Sequence, residues 1–368
     1  MTTENPDQAK NANHSHLPLI DALKTIASQL IVMHHLAFYG PMSDYALPLA
    51  PNFIPWLYDY ARIAVQAFLV IGGFLAARAL ARDGILINKP VKELLWQRYL
   101  RLMPPYICAL LLAMAISAIV SHLMFHESIP EPLTLTRFIA HVFLLQGVLG
   151  FDGLFAGAWY VAIDFQLYAL LLFTLWVAHR ISPDSQNLGC ILAALLIVAS
   201  LFWFNRNENL DNWAIYFFGA YGLGALVYWA IQRHTASIWL GLVGVLAIAA
   251  LVIDFRSRIA VALTVAVVLG LGRYTGFIET WPRSRLVGWL GRISYSLFLV
   301  HFPVCLLING LFERFAPHSP EIQLGGMFTA WIISIAAGAV FYRQVECRFH
   351  RWLKRQSTRK DCPGSSMK

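Results

Sequence analysis

The stretch ICALLLAMAISAIV, residues 107–120, carries no charged side chain and a single hydroxyl, Ser117. YALLLFTLWVA (168–178) and IWLGLVGVLAIAALVI (238–253) have the same character. With its flanks, each run reaches roughly the 20 residues that a helix needs to cross a bilayer core. The 368-residue chain is 58% hydrophobic and 13% charged, whereas a soluble domain carries about a quarter charged residues. A water-soluble core cannot absorb that difference. The expected fold is therefore all-α: a polytopic membrane helix bundle of about ten transmembrane helices.

Working outward from these runs, the spans fall near residues 18–39, 61–82, 103–123, 157–179, 188–204, 213–231, 236–253, 259–272, 291–310 and 323–342. A shorter candidate, FIAHVFLLQGVLG (138–150), contains His141 and Gln146. If it does not span, 22 of the 28 lysines and arginines lie on the side of the N-terminus; if it does, 12 do. Basic residues gather on cytoplasmic loops, so ten spans are expected, with N- and C-termini cytoplasmic. Residues 138–150 then form a periplasmic-side helix or a re-entrant segment. The expected organisation is a polar tail over 1–17, a transmembrane domain over 18–345 and a basic tail over 346–368.

Residues 1–17 are polar and the first apolar stretch is a full span, so no cleavable signal is expected. Cys108, Cys190, Cys305, Cys347 and Cys362 form no close pairs, which suggests neither a disulfide framework nor a zinc site, and no metal ligands are expected. The formal net charge of +8 could suggest nucleic acid. Its concentration in loops and in the tail RQVECRFHRWLKRQSTRK points instead to membrane lipid headgroups, with no nucleic-acid partner.

Ionisable groups within apolar spans are costly and mark functional cavities or buried pairs. In LIDALKTIASQLIVMHH (19–35), a turn of about 100° per residue aligns Asp21, Lys24 and His35 on one stripe and leaves His34 to the side. Arg98 and Arg101 share a helix face at an i, i+3 spacing, just before Pro104 and Pro105. Two guanidinium groups so placed can grip a phosphate-bearing ligand, or can simply meet lipid phosphate. GAWYVAIDFQLYALLLF places Asp164 one turn before Tyr168, with Trp159 and Gln166 nearby; WLGRISYSLFLVHFPV holds Tyr295 and His301; FYRQVECRFHRW holds Glu346. Structural roles remain open for each: a helix-to-helix hydrogen bond for either histidine, a buried pair for Asp164, a boundary salt bridge for Glu346.

Taken in order, these segments resemble acyltransferase family 3, bacterial inner-membrane enzymes that act on glycans. The resemblance covers about residues 17–350. It rests on the opening Leu-Asp with a His eleven residues after the basic position, FLVIGGFLAARAL, RYLRLMPPY, WYVAIDFQLY, LGRISYSLFLVH and the late VE. It implies a multi-pass protein of the bacterial inner membrane that moves an acyl group, most commonly acetyl, from cytoplasmic acyl-CoA to a sugar hydroxyl of a lipid-linked or nascent cell-surface glycan. His35 would be the essential histidine, as general base or acyl carrier, and Arg98 and Arg101 the paired arginines on the acyl-CoA side. Acyl-CoA is a co-substrate here, and no permanently bound cofactor is expected. Lys24 stands where the family usually has Arg, Gly72 where it has Ser and Asp164 where it has Glu. Lys24 would join the arginines in binding acyl-CoA, and Asp164 would orient His35. No esterase-like domain follows the spans, so direct acylation of the glycan is expected. The alternative reading is a glycolipid or anionic-solute transporter, against which stands the lack of an internal repeat.

Overall fold

The computed structural model describes residues 17–232 and 236–360, and every regular element among them is a helix. Hydrocarbon offers no partner to a backbone N–H or C=O, and only a helix satisfies both within one segment. The chain runs through α1 (Pro18–Phe38), α2 (Val65–Leu80), α3 (Val91–Val120), α4 (Leu135–Val142), α5 (Ala158–Ile181) and α6 (Leu188–Phe202). It continues through α7 (Ala214–Ile231), α8 (Ala236–Ile253), α9 (Ser257–Tyr274), α10 (Arg285–Phe315), α11 (Pro320–Phe341) and α12 (Cys347–Lys360). The polar segment 1–16 and the end of the basic tail, 361–368, lie outside the described residues.

Eight helices among the described residues are long and apolar enough to cross a membrane. They contain α2, α3, α5, α6, α7, α9, α10 and α11. The two other expected spans are also helical. α1 is 21 residues long, but Asp21, Lys24, His34 and His35 lower its hydropathy. α8, Ala236–Ile253, is a helix of 18 residues. Residues 138–150 do not cross. α4 stops at Val142, and Leu144 and Gly150 then take positive φ angles of 57° and 74°. Buried polar groups pin this return. The Leu154 N–H donates to His141 Nε2 at 3.1 Å, and Gln166 Nε2 donates to the Leu144 carbonyl at 2.9 Å.

Two helices organise the bundle. α7 packs on α2, α6, α9 and α5, and α10 packs on α11, α1 and α3. The α2–α7 crossing requires glycine on both sides. A Cβ on Gly73 would lie 1.7 Å from the Tyr221 carbonyl oxygen, and one on Gly224 1.9 Å from that of Val70. α1 and α10 run in the same direction. Asp21 lies against Gly291, where a Cβ would meet the Asp21 Cβ at 2.6 Å. Further along, Asn309 donates to the Tyr39 carbonyl at 3.1 Å and accepts from the Met42 N–H at 3.1 Å. Between these two ties the His35 and His301 rings meet edge to edge.

α3 begins twelve residues ahead of the expected span, directly after Pro90. Arg98 and Arg101 are thus carried on a continuous helix of 30 residues that includes Pro104 and Pro105. α11 passes through a π-helical turn, Tyr342–Glu346, into α12. Such turns recur where a helix must re-aim a side chain.

Candidate active site

A cavity of about 160 Å³ opens among α1, α2, α3, α5, α10 and the π-helical turn, lined by Lys24, Arg98, Arg101, Asp164, Tyr295 and Glu346. Six residues singled out in the sequence therefore meet in one place, from five separate segments. Arg98 Nη2 donates to Asp164 Oδ2 at 2.5 Å, and the guanidinium carbon lies 5.2 Å from the Tyr168 ring centroid. Arg98 Nε is buried and has no acceptor among the described residues. Arg101 is exposed and marks where the cavity opens. Ser296 Oγ donates to Glu346 Oε2 at 2.5 Å, and Tyr295 donates to the Leu102 carbonyl at 3.1 Å. The π turn is what carries Glu346 inward, leaving it 7% exposed. Three cations and two carboxylates line the cavity, and Asp21, three residues before Lys24, adds a third negative charge beside it. Beside Asp164, Gly72 presents no side chain; a Cβ there would stand 3.4 Å from Asp164 Oδ1 and 3.1 Å from the Tyr221 ring.

The histidines form a second centre. His35 Nδ1 lies 2.5 Å from His301 Nε2, with ring planes 5° apart and centroids separated by 4.8 Å. His301 Nδ1 lies 3.1 Å from the Leu297 carbonyl, one turn earlier on the same helix. A carbonyl only accepts, so this nitrogen carries a proton. In neutral His301 the other nitrogen, Nε2, is then an acceptor. It follows that His35 Nδ1 donates, and His35 Nε2 holds the lone pair. The two rings are 6% and 0% exposed. His34 turns elsewhere, with its Nδ1 donating to the Leu57 carbonyl at 3.0 Å.

The expected contact between Asp164 and His35 is replaced by two others. Asp164 is taken by the Arg98 guanidinium, the stronger partner for a buried carboxylate, and His35 is oriented by His301. Asp21 stays on the α1 stripe but packs against α10 and does not line the cavity. Trp159 sits apart from the cations, its ring 5.8 Å from that of Phe217.

The histidine pair stands between two spaces. Phe298, a wall of the cation-lined cavity, lies 6.0 Å from the His301 ring. On the far side, Tyr39 lies 5.2 Å from the His35 ring and 5.1 Å from that of Phe302. Tyr39 and Phe302 line a cavity of about 410 Å³ together with Glu127, Ser128, Asp152 and Trp159. Trp159 also borders a third cavity, of about 430 Å³, with Arg62, Gln166, Asp211 and Arg258. Tyr39, Phe298 and Ser296 were missed in the sequence. Phe298 and His301 share an i, i+3 spacing on one helix face, which could have pointed to it. Among the described residues, no group of three or more His, Cys, Asp or Glu is placed to hold a metal ion.

A family model described as an acyltransferase domain matches residues 17–342. No curated protein and no solved structure matches the chain.

Proposed function

As the chain belongs to the acyltransferase family whose domain spans residues 17–342, we propose that it moves an acyl group, acetyl in the first instance, from acyl-CoA to a sugar hydroxyl of a lipid-linked or nascent glycan. Its spans make it a multi-pass membrane protein, and the proposed location is the bacterial inner membrane, basic end inward. The single observation that carries the reading is the buried His35–His301 pair, set between a cation-lined cavity and a larger polar one.

In this mechanism Lys24, Arg98 and Arg101 hold the phosphates of acyl-CoA, and the thioester reaches His35 past Phe298. The acceptor hydroxyl approaches from the side of Tyr39 and Trp159. His35 Nε2 removes the hydroxyl proton as the oxygen attacks the thioester carbonyl. The tetrahedral intermediate collapses with cleavage of the carbon–sulfur bond, and the proton held by His35 passes to the departing CoA thiolate. His301 Nε2 accepts from His35 Nδ1 throughout, which fixes the tautomer and offsets the positive charge that His35 gains. A second route has Nε2 attack the thioester carbonyl and expel CoA thiolate by carbon–sulfur cleavage; the hydroxyl oxygen then attacks the acyl-imidazole, the carbon–nitrogen bond breaks, and the hydroxyl proton passes to the released imidazole.

Protein in lipid nanodiscs, given radiolabelled acetyl-CoA and cell-surface glycan extract, is expected to transfer label to the glycan. His35→Ala is expected to reduce the rate by about 10²–10⁴-fold. Normal transfer by His35→Ala would refute the assignment. Movement of a glycolipid or anion across the bilayer without CoA release would support the transporter reading instead. Mass spectra of surface glycans with and without the gene would identify acceptor and acyl group together.

A further inference from the structure

The cavity of about 430 Å³ opens where α2, α5 and α9 begin, and the mechanism leaves it unused. Two arginines, Arg62 and Arg258, and two carboxylates, Asp59 and Asp211, line it, so the formal charge of the lining is balanced. Gln66, in the first turn of α2, lines it too. This side chain is 4% exposed and makes no hydrogen bond among the described residues. Gln166 donates from Nε2 to the Leu144 carbonyl, which leaves its own carbonyl oxygen without a donor there. Trp159 forms one wall and also lines the cavity beside Tyr39, where the acceptor hydroxyl approaches.

A buried polar group without a partner is costly to keep. An amide is both donor and acceptor, and so is a hydroxyl. Water can satisfy Gln66, but it gains nothing from an indole ring. A sugar unit uses both features: its hydroxyls pair with amides and carboxylates, and its face of C–H bonds rests on an aromatic ring. The balanced charge suits an uncharged ligand of this kind. Each of the two cavities that share Trp159 lies within the roughly 300–1,000 Å³ of a small-ligand site, so a ligand lying across that ring has two parts. We propose that the cavity holding Gln66 binds a second sugar unit of the acceptor glycan, next to the unit acylated, with Trp159 between them. The acceptor is then an oligosaccharide or longer glycan and not a single sugar. The use of the site in catalysis rests on the acyl-transfer reading; sugar binding does not.

The test uses the full chain in nanodiscs and cell-surface glycan extract, partly hydrolysed by acid and separated into monosaccharides and oligosaccharides. Thermal unfolding is followed first, without acyl-CoA. Oligosaccharides are expected to raise the melting temperature of wild type by several degrees, and equally that of Arg314→Gln, a control at an exposed arginine on the last turn of α10. Monosaccharides are expected to need about tenfold more for the same rise. Gln66→Leu removes a partnerless amide at similar volume, so its unliganded melting temperature should not fall, while its demand for oligosaccharide should rise about tenfold. If it does not fold, Asp211→Asn, at an exposed position of the same lining, takes its place with the same expected demand. Radiolabelled acetyl-CoA is then added, and the variant is expected to raise KM for oligosaccharide with kcat little changed. Binding without transfer would end the acyl-transfer reading and leave the sugar site standing. Equal stabilisation by both fractions, none by either, or an unchanged response in the variant would overturn the site, and transfer by the same protein would show that the acyl-transfer reading survives it.

Discussion

His301 meets His35 through one hydrogen bond, so replacements at 301 separate orientation from bulk. Gln offers an amide oxygen to His35 Nδ1, whereas Ala offers nothing. His301→Ala is expected to lower kcat by about 10²-fold or more, with KM for acyl-CoA little changed. His301→Gln is expected to recover part of the loss. Equal defects in the two variants would mean that His301 only fills space. The Arg98–Asp164 pair predicts the opposite kinetic pattern. Asp164→Asn frees a guanidinium from its partner in a largely buried site, which costs on the order of 3 kcal/mol. Acyl-CoA binding should weaken and the melting temperature fall, measured by isothermal titration and thermal unfolding. Unaltered binding with reduced kcat would return Asp164 to the histidine side.

Among the elements, the α2–α7 crossing leaves no space for a side chain. Gly73→Ala would bring a Cβ against a backbone carbonyl, and overpacking of this kind costs about 1–3 kcal/mol. Loss of folded protein in detergent is the expected outcome, and a normal melting temperature would show that the helices can part. The return after α4 depends on a different balance. His141 donates from Nδ1 to the Arg137 carbonyl at 2.8 Å and accepts at Nε2 from Leu154, so only the neutral ring serves both. Burial lowers its pKa below the ordinary 6.5. The unfolded segment then takes up a proton before the folded one, so stability holds above pH 6.5 and declines as pH falls below it. Hydrogen exchange over residues 135–157, corrected for intrinsic rates, should rise at pH 5, and His141→Gln should flatten that dependence. These elements also show what the sequence could reveal. The failure of 138–150 to span was legible, because charge distribution decides it; of the expected stripe of Asp21, Lys24 and His35, only Lys24 lines the cation-lined cavity. The partner of His35 was not legible. It lies 266 residues away, and an apolar helix bearing one histidine gives no sign of its neighbour. Asp164 was assigned to the wrong base because Arg98 lies on a helix that starts well before its apolar run.

Across the whole molecule, the basic helix ends define a direction that can be measured. Trp96, 57% exposed near the start of α3, and Phe125, fully exposed beyond its end, lie at opposite ends of one span. With the proposed orientation, Phe125→Cys should react with an impermeant maleimide in intact spheroplasts, and Trp96→Cys only after lysis. The reverse pattern would invert the assignment of the two cavities to donor and acceptor.

Polar hollows open towards both ends of this bundle, and between them stand two hydrogen-bonded imidazoles with Phe298, Phe302 and Tyr39 around them. The same few rings must therefore act as insulation. A cell that maintains a proton gradient across this bilayer depends on their staying closed at rest. Proteoliposomes carrying His35→Ala/His301→Ala should dissipate an imposed pH gradient faster than wild type, with no acyl donor present.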